Sequence, residues 1–211
     1  MISDLRPREG ENNLLDTILN QRVEKFSVKI AVKVGIAVAL IIIAIVLPQI
    51  CHLVVGKDSG VKWMPMFFPV LLAGCLFGIW WGLGIGILSP ILSFGITSIW
   101  KKPMPTAERL GFMVVELAVF GLIPGLFSKK IATNKWIAFP AVLLGQLSGV
   151  VVNMIVCSIF SSLTKIPPSK TWQSIQTGMI GNFCQAILVP FITIGIRQLI
   201  KHETKENIAI P

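Results

Sequence analysis

The sequence predicts an all-α membrane protein in which six transmembrane helices form a compact bundle and both termini lie in the cytoplasm. Three observations support this fold class. Of the 211 residues, 54% are hydrophobic and only 14% are charged, with a mean hydropathy of +0.77, a balance typical of membrane proteins rather than water-soluble domains. Long apolar runs separate the charged segments. The basic residues are also distributed unequally between the two sets of connecting segments.

Each of the five apolar runs is long enough to cross a hydrocarbon core of about 30 Å as a helix. The second run has 38 residues between Lys62 and Lys101, which would make a helix of about 57 Å, so we expect it to fold back on itself. The segment 77–86, rich in glycine and containing Trp80 and Trp81, marks the corner, because glycine loosens a helix and tryptophan favours the headgroup level. The six predicted spans are residues 30–54, 63–79, 82–100, 109–128, 136–160 and 172–199.

The predicted domain organisation has three parts. Residues 1–29 form a cytoplasmic amphipathic segment, because apolar residues between Leu15 and Phe26 recur at helical spacing and suit a helix lying on the membrane surface. We expect this segment to be retained, since it lacks the pattern of a cleavable signal sequence. Residues 30–200 form the six-helix domain, and residues 201–211 form a cytoplasmic tail.

The distribution of basic residues predicts the orientation. Twelve of the 19 basic residues lie on the side of the termini and the 129–135 connection, and seven lie on the other side. The positive-inside rule therefore places the termini in the cytoplasm. The outer connections are themselves basic, and they could attract an anionic solute or serve as ordinary solubilising charge.

Four predicted helices carry a polar side chain at a similar depth, about 10–15 Å below the outer surface. These residues are Ser93, Glu116, Asn153 and Asn182, and Gln146 and Gln185 follow about one turn deeper. A polar side chain that faces lipid costs about 2–3 kcal/mol or more, so we expect these groups to face one another or water. They predict a polar, ligand-binding pocket in the outer half of the bundle, with Glu116 as its charged member. Interhelical hydrogen bonding is the alternative role for the amides.

Large apolar side chains at the start of the second span, Trp63, Met64, Met66 and Phe67, lie near the predicted outer mouth. Aromatic and thioether groups there could pack a flat heterocycle or an aliphatic tail. Contacts with lipid or with the core are the alternative role. Among these, Trp63 and Met66 are our predicted substrate contacts.

Small side chains recur every four residues along the first span, at Ser27, Ala31, Gly35 and Ala39. Such a strip lets a second helix approach to backbone contact, either within the chain or on another protein.

The sequence lacks the motifs of common catalytic sites. It contains no GxxxxGK[ST], HExxH or GxSxG pattern, which indicates that the chain neither hydrolyses nucleotide nor carries these hydrolytic centres. Its four cysteines are widely spaced and it has only two histidines, so we expect no metal site, no cofactor and no disulfide framework.

Three ordered segments resemble the substrate-binding S components of energy-coupling factor (ECF) vitamin transporters. They are residues 68–94 in the second and third spans, "ELAVFGLIPGLF" at 116–127 and "GNFCQAILVPF" at 181–191. The resemblance covers roughly residues 30–200. It implies a non-enzymatic membrane subunit that captures a vitamin or precursor at the outer face, with a transmembrane coupling subunit and two ATPases as partners, and no nucleic acid. The family's AxxxA-like motif, which contacts the coupling subunit, matches Ala31, Gly35 and Ala39.

The resemblance leaves the substrate open among pantothenate, a pyridoxine-like compound, niacin, a queuosine precursor and cobalamin. Three other functions also stay open from the residues alone. An autonomous carrier would exchange a proton at Glu116, an intramembrane enzyme would depend on Glu116 or His52, and a membrane assembly protein would bind no small ligand.

Overall fold

The computed structural model describes residues 9–56, 59–99, 104–164 and 167–206, and for residues 9–29, 32, 59, 162–164 and 199–206 it describes the backbone alone. The predicted amphipathic face of residues 1–29 therefore lies outside the described side chains. It stays a prediction, as do the three domain boundaries.

Helices make up nearly all of the described chain, and no strand occurs in it. The helices are α1 (Glu9–Val55), α2 (Ser59–Trp63), α3 (Phe67–Phe77), α4 (Ile79–Ile99), α5 (Ala107–Leu126), α6 (Ser128–Thr133), α7 (Ala138–Thr164) and α8 (Pro168–Glu206). A short 3₁₀ turn, Lys135–Ile137, precedes α7. The all-α fold class is therefore confirmed.

Six segments of the described residues are long and apolar enough to cross a membrane, which confirms the predicted number of spans. They are Lys33–Val55, Gly60–Phe77, Ile79–Ile99, Ala107–Leu126, Lys135–Ser161 and Pro168–Gln198. The second segment is not one helix, because it joins α2 to α3 through a turn at residues 64–66.

The corner in the 38-residue apolar run lies at Gly78, between α3 and α4. Gly78 has a φ of +95°, in a region that glycine adopts without the steric cost other residues would incur. Trp80 follows this corner and is 82% exposed, as expected for an indole at the headgroup level. The chain therefore reverses direction where the glycine-rich segment predicts.

The backbones of α4 and α5 touch along a seam of glycines. A Cβ atom on Gly82 would overlap the carbonyl of Gly121, and a Cβ on Gly121 would overlap the carbonyl of Gly82. A Cβ on Gly86 would likewise overlap the carbonyl of Leu117. Contact this close requires glycine, and it fixes the position of α5 relative to α4.

Two compact units divide the chain within α1, at residues 1–38 and 39–211. In the first unit, α1 is helical from Glu9, and Ala31 and Gly35 are exposed. In the second unit, Ala39 is exposed as well. Within the first unit, a Cβ on Gly35 would meet nothing within 4 Å.

Candidate functional site

A cavity of about 140 Å³ lies among α2, α3, α5, α7 and α8, at the end of the bundle where α5 and α8 begin. One part of its wall is polar, formed by Arg109, Glu116, Asn153, Thr171 and Ser174. The rest is mainly apolar, formed by Val61, Met64, Phe67, Phe112, Met113 and Ile175, together with Gly60. A cleft with a mostly apolar wall and a few convergent polar groups is typical of a small-molecule site.

Helix α5 supplies four of the lining residues from one face. Arg109, Phe112, Met113 and Glu116 are spaced i, i+3, i+4 and i+7, and these positions share one side of a helix with 3.6 residues per turn. The first and last of them are separated by about 10.5 Å along the helix axis, at 1.5 Å per residue. The cavity therefore has a guanidinium group near one end and a carboxyl group near the other.

Glu116 and Asn153 meet at the inner end of the cavity. Asn153 Nδ2 donates a hydrogen bond to Glu116 Oε2 across 3.0 Å, and Glu116 is 7% exposed. Their similar depth along α5 and α7 predicted that these two side chains would lie close together, and the structure brings them into contact. Both carboxyl oxygens can accept hydrogen bonds, so the bond from Asn153 leaves capacity for donors on a ligand.

Arg109 lies at the outer end of the cavity, near the start of α5. Its Nη2 donates a hydrogen bond to Ser174 Oγ across 3.2 Å, and Ser174 Oγ donates to the carbonyl of Lys170 across 3.0 Å. The side chain is exposed. The contact with α8 holds the guanidinium at the rim, where an entering solute would meet it.

The turn between α2 and α3 forms part of the wall and is held by α8. Gln185 Nε2 donates to the carbonyls of Trp63 and Met64, across 3.0 and 2.9 Å. A Cβ on Gly181 would lie 2.5 Å from the Trp63 carbonyl, and one on Gly178 would overlap the Met64 side chain. Met64 itself has a φ of +44°. The glycines and Gln185 thus form a seat on α8 that directs Met64 into the cavity.

An aromatic pair lies beneath the apolar part of the cavity. The ring of Phe67, which lines the cavity, packs edge-on against the ring of Phe120, with 4.7 Å between the centroids. Phe120 is fully buried, and a Cβ on Gly149 of α7 would overlap its ring. This close packing of Phe120 against Phe67 and Gly149 closes the side of the cavity that Phe67 lines.

The other residues predicted from the sequence to bind substrate lie outside the cavity lining. Ser93 donates to the carbonyl of Met104 across 2.8 Å, and Gln146 Nε2 donates to the carbonyl of Asn182 across 2.9 Å. The Asn182 side chain has a buried oxygen without a hydrogen-bond partner in the described structure. Trp63 is 38% exposed and Met66 is 4% exposed. As substrate contacts, all eight predicted residues remain predictions.

Several lining residues were not among the predicted contacts. The spacing of Arg109, Phe112 and Met113 before Glu116 would have identified them, because it is the spacing of one helix face. Thr171, Ser174 and Ile175 come from the first turns of α8 and carry no comparable signal in the sequence. Among the residues that the structure describes, no group of three or more His, Cys, Asp or Glu side chains is arranged to hold a metal ion.

Comparison with known proteins adds one finding. A family model described as the substrate-specific component of the ECF transporter matches residues 25–200. This match covers all six candidate spans and every residue that lines the cavity. No curated protein and no solved structure matches the chain.

Proposed function

This chain belongs to the family of substrate-specific components of ECF transporters, and we propose that it captures a small water-soluble vitamin or precursor at the extracellular face of the membrane. Members of the family bind substrate for transport and are not enzymes. The protein is therefore a multi-pass protein of the cell membrane. In our proposal it delivers its substrate together with a transmembrane coupling subunit and two ATPases.

The cavity that contains the Glu116–Asn153 pair is the observation that supports a binding role most directly. It has the apolar wall that a vitamin ring or chain needs and polar groups that could orient it. With the termini in the cytoplasm, as the basic residues predict, the cavity opens toward the outer half of the membrane. Capture from outside the cell follows from that orientation.

Titration of the purified full-length chain with a panel of water-soluble vitamins and precursors tests the binding site. We expect one compound to bind, and Glu116→Gln to weaken it by about tenfold or more, since hydrogen bonds to charged groups contribute about 1.5–3 kcal/mol. Glu108→Gln is the matched control, because Glu108 is exposed on the first turn of the same helix and does not line the cavity. Equal affinity in Glu116→Gln and the parent protein would show that the site lies elsewhere.

We propose that the small side chains of Ala31, Gly35 and Ala39 on α1 are the contact for the coupling subunit. Small side chains allow helices to approach closely in a membrane, and a Cβ at Gly35 would meet nothing within 4 Å of it. A leucine at Gly35 should therefore fold normally but weaken co-purification with the coupling subunit and ATPases by about tenfold, since one blocked close approach costs about 1–3 kcal/mol.

Gly95→Leu provides the control for that substitution, because Gly95 on α4 also has nothing within 4 Å of an added Cβ. Equal co-purification of the Gly35→Leu and parent proteins would remove this strip from the interface. Uptake into liposomes by the chain alone, driven by a pH gradient, would contradict the ECF mechanism and favour a proton-coupled carrier.

A further inference from the structure

We propose that the substrate of this cavity is a compact amphoteric compound, about the size of one six-membered ring with short substituents. Its anionic group would lie at Arg109, and its hydrogen-bond-donating or cationic group would lie at Glu116. This inference rests on the proposed binding function and adds the chemical class of the substrate. It follows from the arrangement of the polar ends, the apolar middle and the size of the cavity.

The two polar ends of the cavity select opposite chemical groups. A guanidinium group only donates hydrogen bonds and pairs well with a carboxylate or phosphate. The carboxyl group of Glu116 offers acceptor oxygens, so it suits an amine, an amide or a hydroxyl on the ligand. Both side chains are already oriented by neutral partners, Arg109 by Ser174 and Glu116 by Asn153. Each contact leaves further hydrogen-bonding capacity on the guanidinium and carboxyl groups for a ligand.

The difference in exposure between the two ends gives the ligand a direction. Glu116 is 7% exposed, whereas Arg109 is exposed at the rim. Burying a polar group such as the Glu116 carboxyl is costly unless it has hydrogen-bond partners. The ligand group that donates hydrogen bonds should therefore be the one that enters deepest. The anionic end stays near the rim, where residual water contact reduces its desolvation cost.

The middle of the cavity is apolar. Phe112 and Met113 lie between the two polar residues on the same face of α5, and Phe67 and Ile175 face them from α3 and α8. Aromatic and thioether side chains pack well against flat rings and aliphatic segments. A ligand that was polar along its whole length would lose hydrogen bonds to water here without replacement.

The size of the cavity limits the body of the ligand. Its volume of about 140 Å³ is close to that of an engineered protein cavity of about 150 Å³ that accepts benzene. One ring, or an aliphatic chain of similar volume, fits this space. A fused three-ring system or a macrocycle would extend beyond it. The ends of the ligand then extend along the helix toward the two charged side chains.

Four probes built on one benzene ring test the inference by calorimetry with the full-length protein in detergent. 4-(Aminomethyl)benzoate carries both a positive and a negative charge, and benzoate carries only the negative one. Benzylamine carries only the positive charge, and benzyl alcohol is neutral. We expect 4-(aminomethyl)benzoate to bind about tenfold or more tightly than any of the others, because it alone engages both ends. Tightest binding of benzyl alcohol or of a singly charged probe, or no binding of any probe, would overturn the inference.

Substitutions at the two ends show whether the probe binds in the proposed direction. Arg109→Gln should weaken the binding of benzoate and 4-(aminomethyl)benzoate by about tenfold and leave that of benzylamine unchanged. Glu116→Gln should weaken the binding of benzylamine and 4-(aminomethyl)benzoate by about tenfold and leave that of benzoate unchanged. Lys170→Gln is the control for a general loss of positive charge, since Lys170 is exposed near the same rim and does not line the cavity. Equal effects of the Arg109 and Lys170 substitutions on benzoate would contradict a specific contact.

Failure of this inference is separable from failure of the proposed function. If a vitamin that lacks one of the two charges, or has a larger ring system, binds in a manner that depends on Glu116, the function stands and the substrate class is wrong. If no compound of the vitamin panel binds and the chain does not co-purify with a coupling subunit and ATPases, the function itself fails.

Discussion

The two halves of α5 contrast sharply, although they belong to one continuous helix. In the half from Leu117 to Leu126, the backbone of α5 touches that of α4, and Gly121 leaves no room for a side chain. In the half from Arg109 to Glu116, one face of the helix borders a cavity and carries a charged residue at each end. The closed half has small residues where backbones meet, and the open half has polar residues where helices separate.

The contrast shows how a membrane protein can keep a polar cavity without losing its packing. Lipid supplies no hydrophobic force between helices, so close van der Waals contact must hold the bundle together. The glycine seam provides that contact in the half of α5 from Leu117 to Leu126. The same helix then carries Glu116 to a defined position beside the cavity, where Asn153 donates a hydrogen bond to its carboxyl group.

Adding one methyl group to the closed half should have the largest effect. We expect Gly121→Ala to lower the free energy of unfolding by about 1–3 kcal/mol, because its Cβ would overlap backbone atoms of Gly82, which cannot move aside as a flexible side chain can. Gly95→Ala in α4 is the control, since its Cβ would meet nothing within 4 Å. Thermal unfolding in detergent compares the two, and equal melting temperatures for Gly121→Ala and the parent protein would contradict the close contact.

Loosening the wall of the open half should have an intermediate effect. Gln185→Leu removes the two hydrogen bonds that hold the Trp63 and Met64 carbonyls. At about 1 kcal/mol for each hydrogen bond, we expect the free energy of unfolding to fall by about 2 kcal/mol. Ligand affinity should fall as well, because the turn positions Met64 in the cavity wall. Gln173→Leu is a suitable control, because Gln173 is exposed on the same helix and does not line the cavity. Unchanged affinity in Gln185→Leu would show that the turn does not shape the site.

The smallest effect should come from Asn182→Ala, because Asn182 lies at a depth in the bundle similar to that of Glu116 but does not line the cavity. We expect Asn182→Ala to change ligand affinity by less than about twofold and Asn153→Ala to reduce it about tenfold, since only Asn153 contacts Glu116. Titration of the two variants with the same ligand makes the comparison. A tenfold loss in Asn182→Ala would instead support the contact with substrate that the depth count predicts for this residue.

Much of the architecture could be predicted because it depends on quantities that the sequence shows directly. The length of each apolar run gives the number of spans, and the glycines around Gly78 give the corner in the longest run. The isolated acid at Glu116 pointed to a polar site, since such a residue is costly in lipid. The match of residues 25–200 to the ECF family confirms the resemblance that the ordered motifs suggested.

The composition of the cavity could be predicted only in part, because counting along a helix gives depth and nothing else. Ser93 and Asn182 lie at depths similar to that of Glu116, yet Ser93 bonds the Met104 carbonyl and neither residue lines the cavity. Met64 reaches the cavity through a turn with a positive φ that breaks the second span, and hydropathy cannot indicate such a turn.

By itself, the sequence determined that this chain is a bundle of six apolar helices with a carboxyl group enclosed among them, because the cost of placing polar groups in lipid is already set by composition and run length. Only the tertiary structure decided which side chains meet. The rotation of each helix about its own axis placed Arg109, Glu116 and Asn153 around one cavity. Contacts between helices fix that rotation, such as Gly82 with Gly121 and the packing of the Met64 turn against glycines of α8. Those angles depend on packing between distant segments, which no local pattern specifies.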